Sequence, residues 1–102
     1  MYKLEYLPLA LQDMVDISRY ISRELCNPEA AEMLAKELVE SAERLRDFPY
    51  SNAVHIPARK LKHECRKLMV KNYIMFYRVD ETARKITIAR VVYARRDYEK
   101  LL

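Results

Sequence analysis

The sequence predicts an α+β fold in the order β-α-α-β-β-β, with two antiparallel helices packed on one face of a small, largely antiparallel sheet. Three observations carry this. Two segments in the first half repeat apolar residues at helical spacing. Three β-branched and aromatic runs follow one another in the last third, Cys65–Lys71, Tyr73–Val79 and Lys85–Ala94. Their connections are too short for crossovers, so neighbouring runs pair antiparallel. A helix hairpin cannot bury its stripe alone, and neither can a small sheet; packing one on the other solves both problems.

The first strand is Tyr2–Leu7, where Tyr2, Leu4 and Tyr6 alternate with Lys3 and Glu5. Pro8 suits the first turn of a helix, where its missing N–H is not needed. Leu11, Met14, Val15, Ile21 and Leu25 then recur at helical spacing, and Asp13, Asp16, Arg19, Arg23 and Glu24 fall mostly on the other side. The first helix is expected over about Pro8–Glu24.

Asn27-Pro28-Glu29 is a helix start: a capping Asn, Pro at the first position and an acidic first turn. Ala31, Leu34, Ala35, Leu38, Ala42 and Leu45 form the apolar stripe of a helix expected over about Pro28–Asp47. Glu32 with Lys36 and Glu40 with Arg44 have the favourable i,i+4 order. Phe48-Pro49 closes the segment. From Tyr50 to His63 no period is visible, and this stretch reads as an ordered surface loop carrying the basic run Arg59-Lys60-Leu61-Lys62-His63. The last three runs are apolar on both sides, which implies strands covered on both faces. Alternation alone leaves open which face meets the helices.

At 102 residues the chain suits one compact domain, residues 1–102. Its net charge of +4 conceals an asymmetry: residues 1–50 hold 6 Lys/Arg and 10 Asp/Glu, a net −4, whereas residues 51–102 hold 13 and 5, a net +8. The basic half suggests a polyanionic partner, nucleic acid or an acidic protein segment. The two cysteines, Cys26 and Cys65, make neither a metal spacing nor a disulfide framework, which suits a reducing cytoplasm. No signal-peptide core and no membrane-spanning apolar run occurs. Glycine is absent, which excludes a P-loop, a dinucleotide fingerprint and a nucleophile elbow. No metal or cofactor is implied.

The last strand ends in a polar cluster, Tyr93 to Tyr98, at the place where a rigid sheet presents functional side chains. Arg66, Arg78, Arg90, Tyr93, Arg95 and Arg96 are the candidate functional surface. The bland readings are definite too. Arg66, Arg78 and Arg90 can pair with acidic residues of the helices. Tyr73, Tyr77 and Tyr93 can be sheet residues packing their rings, and Met69 and Met75 core fillers. His55 and His63 read as surface histidines without a role.

The order of elements, together with several local motifs, resembles the RelE/ParE superfamily of bacterial type II toxins. The motifs are the Pro8-Leu9-Ala10 start and a second helix ending in Phe48-Pro49. Cys65-Arg66-Lys67-Leu68 then precedes Tyr73-Ile74-Met75-Phe76-Tyr77-Arg78-Val79. The ending Ile88-Ala89-Arg90-Val91-Val92-Tyr93-Ala94-Arg95-Arg96-Asp97-Tyr98 is most similar to the ParE (plasmid stabilisation) branch. The resemblance implies a growth-inhibiting toxin neutralised by a cognate antitoxin, with which it forms a hetero-oligomer. The implied target is DNA gyrase for ParE-like members, and the ribosome with its mRNA for RelE-like endoribonucleases.

A metal-independent ribonuclease needs a base, a phosphate clamp and an acid. On the family pattern Lys67 matches a strand lysine and Arg95 the arginine after the last strand. Tyr98 lies close to the family tyrosine's place, and His63 is a further acid–base candidate. Met69 and Ile74 stand where two more cations belong. Losing one such group costs about 3 kcal/mol of barrier, so the reading leans away from an enzyme and toward gyrase inhibition. An inactive, toxin-like interaction module is the third reading. The partner expected for the basic half is an acidic, partly disordered antitoxin segment lying across it and the helices.

Overall fold

The computed structural model describes residues 1–57, 63–96 and 98–102. The basic run Arg59 to Lys62, and Asp97, lie outside them. Strand β1 is Lys3–Tyr6, helix α1 Pro8–Arg19, helix α2 Pro28–Arg44, and strands β2, β3 and β4 are Arg66–Val70, Tyr73–Asp80 and Lys85–Tyr93. The sheet has four strands in the order β1-β4-β3-β2. β1 runs parallel to β4, and the other neighbours are antiparallel.

The start of α2 follows its sequence: Pro28 opens it, and the Asn27 side chain accepts from the Ala30 N–H at 3.1 Å. Its surface pairs differ from expectation. Lys36 meets Glu40 rather than Glu32, and Arg44 reaches the Ser41 hydroxyl. The first helix reaches Glu24, but its last part, Tyr20–Glu24, is a π-helical turn in which the Leu25 N–H donates to the Tyr20 carbonyl. Such a turn rotates the side chains beyond it relative to the helix before it.

The chain must place its left-handed residues without glycine: among the described residues they are Cys26, Lys71 and Arg84. A Cβ in that region costs roughly 1 kcal/mol. Cys26 is exposed and follows the π turn, where glycine is the usual terminator. Cys26→Gly is therefore expected to stabilise the protein by about 1 kcal/mol, seen as a higher urea midpoint at unchanged slope.

The parity of β3 is settled by packing. Tyr73, Met75, Tyr77 and Val79 join the helix-side core with Leu34, Leu38, Ala42, Ile86, Ile88 and Val91. Ile74 and Phe76 join Cys65 and Val92 in a second core on the opposite face, covered by Tyr98, Leu101 and Leu102. In the register, Phe76 pairs with Arg90 but Tyr77 with Ile88, so Ala89 is an extra residue in β4. This bulge lets Ile86, Ile88 and Val91 share one face although they do not alternate evenly.

β1 stops at Tyr6 while β4 continues. Beyond it Asp13 of α1 takes over the edge, accepting from the Val91 N–H at 2.9 Å and holding the Arg90 guanidinium through two bonds of 2.8 and 2.9 Å. Asp13 is thus turned to the sheet rather than to solvent. The acidic half forms most of the helix layer and the basic half most of the sheet. Asp13–Arg90, Glu37–Lys71 and Glu5–Lys85 tie the two together.

The opposite end of the sheet is clamped by Glu81, whose carboxylate accepts from the Tyr2 and Tyr50 hydroxyls and from Arg84. The Arg84 guanidinium also lies 4.2 Å from the Tyr2 ring centre. The hydrogen bond to Glu81 pushes the Tyr50 hydroxyl up to about 12, and the two tyrosines hold Glu81 below the usual carboxylate range. A raised phenol contributes stability that is complete below the ordinary tyrosine value of about 10 and is lost as pH rises through about 12. In Glu81→Gln the ultraviolet titration of Tyr50 is expected to fall back toward about 10.

Candidate functional site

Between the end of α1, the start of α2, the β2–β3 turn and the end of β4 lies an open groove of ≈ 810 Å³. Ile17, Tyr20, Ile21 and Leu25 come from the first helix and its π turn, Met33 and Leu34 from α2, and Tyr73 and Tyr93 from the strands. Tyr20, Leu25, Met33 and Tyr93 remain exposed. The Tyr73 and Tyr93 rings pack with centres 5.6 Å apart. Burial pushes the Tyr73 hydroxyl above its ordinary value, and the nearby Tyr93 and Tyr20 hydroxyls add to this. The Tyr73 phenol is a protonated donor at neutral pH.

Lys71 and Arg96 stand on the groove lining. Lys71 has an exposed ion pair with Glu37 at 3.5 Å. Arg95 and Arg96 are exposed, and among the described residues no side chain engages either. The groove therefore joins an apolar, tyrosine-rich floor to exposed positive charge. That composition fits a protein segment better than a small molecule, because tyrosine and arginine supply much of the binding energy at protein interfaces. Among the described residues no three His, Cys, Asp or Glu side chains come together as metal ligands.

The sequence-derived candidates separate into groups. Tyr93 and Arg96 meet in the groove, with Arg95 one residue away on the same turn. Arg90 is committed to Asp13 and to the Leu101 carbonyl, so it takes the structural reading. Arg66 does not pair with a helix carboxylate; it donates to the Asn52 carbonyl at 2.7 Å and lies 4.9 Å from the Tyr50 ring centre. Arg78 lines a smaller groove with His63, Asp80, Lys85 and Thr87. Tyr77 is wholly buried, its hydroxyl donating to the Pro49 carbonyl at 2.9 Å.

The residues considered for nuclease chemistry are dispersed. Tyr98 packs on Phe76, ring centres 5.4 Å apart, as part of the second core. Lys67 shares that face through its register with Phe76. Ile74 is buried in the same core, while its partner Met69 is exposed and so is not a core filler. His63 groups with Arg78, five residues along β3 from Tyr73, and Tyr73 pairs with Tyr93 beside Arg95. At ~3.4 Å per residue that separates the His63 and Arg95 ends by roughly 17 Å. His55 corrects expectation outright: it is 5% exposed, its ring set edge-on against Phe76.

Tyr20 and Met33 are the groove residues that sequence reasoning passed over. Both are large apolar side chains outside the helix stripes, and that off-stripe position is the signal that could have found them.

The comparisons agree with this architecture. The family model for the ParE toxin of type II toxin-antitoxin systems (parDE) matches residues 4–98. No curated protein matches the sequence. Among solved structures the chain is similar to one from the chromosomal ParDE toxin-antitoxin system of P. aeruginosa: TM-score 0.71, 21% identity, 91% of this chain and 96% of that one covered. It is also similar to a chain of the RelBE2 toxin-antitoxin complex of Mycobacterium tuberculosis, with TM-score 0.63, 19% identity and coverages of 90% and 96%. A third is a chain of the archaeal RelE-RelB complex of Pyrococcus horikoshii OT3, with TM-score 0.61, 14% identity and coverages of 93% and 97%. At these identities the likeness is one of fold: two helices on a four-stranded, largely antiparallel sheet. The family match over residues 4–98 goes further: this chain belongs to the ParE toxin family of type II toxin-antitoxin systems, within the RelE/ParE superfamily.

Proposed function

We propose that residues 1–102 act as one growth-inhibiting toxin domain that works on DNA gyrase rather than by cutting ribosome-bound mRNA, and that a cognate antitoxin neutralises it. The observation that carries the choice of target is Ile74. It is 3% exposed, sealed in the second core where the RNA-cleaving relatives' pattern calls for a cation. Neither Met69 nor Tyr98 replaces that charge, and His63 is at the other end of the strands. A phosphoryl-transfer site short of its clamp loses about 3 kcal/mol or more of barrier reduction. Inhibition by binding needs no such set.

The antitoxin reading rests on the groove. Its apolar floor suits one face of a segment that folds on binding, and Lys71, Arg95 and Arg96 suit acidic residues flanking that face. The similar solved structures include toxin-antitoxin complexes, which supports the same partner class.

The test mixes the purified chain with gyrase and relaxed DNA, and separately with ribosomes carrying mRNA. Supercoiling is expected to be inhibited, with the mRNA intact. Rapid mRNA cleavage that disappears in Arg95→Ala, with gyrase unaffected, would establish the ribonuclease instead.

A further inference from the structure

The second core has an unusual cover. Cys65, Ile74, Phe76 and Val92 are buried on the sheet face away from the helices, and Tyr98, Leu101 and Leu102 close over them. These belong to the chain's last turn, a single 3-10 turn at Tyr98–Leu101. Among the described residues no strand pairing ties this turn to the sheet. Its own backbone bonds are local: the Tyr98 N–H donates to the Arg96 carbonyl and the Leu102 N–H to the Glu99 carbonyl.

Polar contacts pin it from outside. The Leu101 carbonyl accepts from Arg90 Nη1 at 3.0 Å, and Glu99 Oε1 lies 3.0 Å from His55 Nε2. The His55 side chain is 3% exposed and that of Glu99 27%. His55 also touches both layers it joins, its ring centre 5.1 Å from that of Phe76 below and 6.0 Å from that of Tyr98 above. Its Nδ1 is buried without a hydrogen-bond partner among the described residues, so the ring's one described polar contact is the one with the cover. A histidine held this way spends its burial on fastening the turn.

We propose that Tyr98–Leu102 is a hinged cover, fastened by His55–Glu99, which opens from the sheet as a unit while the helices and strands stay folded. Sub-global opening of this kind belongs to short terminal segments that no strand pairing ties to the sheet. The closed form hides an apolar strip, and the open form presents it beside Lys67, which shares that face through its pairing with Phe76. This face is opposite the helix-side groove, and the inference does not depend on which target the toxin has.

The thiol of Cys65 is a built-in reporter, because it is buried in the core that the cover closes. In a Cys26→Gly chain it is the single thiol, and its labelling by a disulfide reagent is followed at urea concentrations below the unfolding transition. The labelling rate is expected to be nearly independent of urea, since a local opening exposes little surface. Glu99→Gln is expected to raise it by about 10-fold, the effect of one lost charge-assisted hydrogen bond on an opening equilibrium. A chain ending at Lys100 should label faster still. Amide exchange across Pro28–Arg44, measured on the same samples, should not change. Labelling that carries the full urea slope of global unfolding and ignores both variants overturns the cover. So does labelling that rises only in step with exchange across α2.

Discussion

Asp13→Ala is expected to cost about 3 kcal/mol of folding stability, which for a domain of this size lowers Tm by on the order of 15 °C. Asp13 occupies the sheet position that β1 leaves empty. It satisfies the Val91 N–H and both available faces of the Arg90 fork. The two side chains are only 14% and 17% exposed, so water recovers little of what the carboxylate supplies. Opposite Asp13, the hydrogen bonds that the Arg90 guanidinium donates to it raise the guanidinium's pKa more than burial lowers it. With alanine there, an arginine stays nearly buried without its counter-ion and a backbone donor goes unpaired. Asp13→Asn keeps an oxygen for the Val91 N–H and loses the charge, so an intermediate cost is expected, roughly half. Urea unfolding of the three proteins measures both. Equal stability of Asp13→Ala and the parent would mean that the edge of β4 is satisfied by something else.

Deleting Ala89 is expected to cost about 1–3 kcal/mol and to keep a cooperative transition, because it removes a bulge without changing the register on either side of it. Ala89 is the residue by which β4 exceeds β3 between Phe76 and Tyr77. Without it, Arg90 follows Ile88 directly and still pairs with Phe76, and Val91 still pairs with Met75, so both keep their faces. What is lost is the local bend that the bulge puts into β4 beside Asp13, which holds Arg90 and the Val91 N–H. The control is Ala89→Ser, which keeps the count and is expected to stay within about 1 kcal/mol because Ala89 is half-exposed. Circular dichroism and urea titration separate the two. A deletion variant without a cooperative transition would show that the register does not survive the loss of the bulge.

Much of this protein is legible before folding. The Asn27-Pro28 cap, the stripe from Ala31 to Leu45 and the three terminal strands are local patterns, set by residues within a few positions of one another, and the structure keeps them with their ends shifted by few residues. The β-α-α-β-β-β order follows from them, and with the Arg95-Arg96 ending it was enough to point to the right superfamily.

Other features required the tertiary structure. The backbone alternation of β3 is identical for either face; packing of Met75 and Tyr77 on the helices decided it. Asp13 reads as one more acidic residue on a helix, because its partner Arg90 is 77 positions away. The bulge at Ala89 and the π turn at Tyr20–Glu24 are each a small local irregularity with no composition signature, and they aim Val91 and Tyr20 where no period would place them. His55 was read as a surface residue from a loop without pattern, but long-range contacts with Phe76 and Glu99 bury it. Local propensity and periodicity act through neighbours in the chain and so are written in the sequence. Faces, edges and burial depend on which distant segments meet, and only the folded chain brings Asp13 to Arg90 and His55 to Glu99.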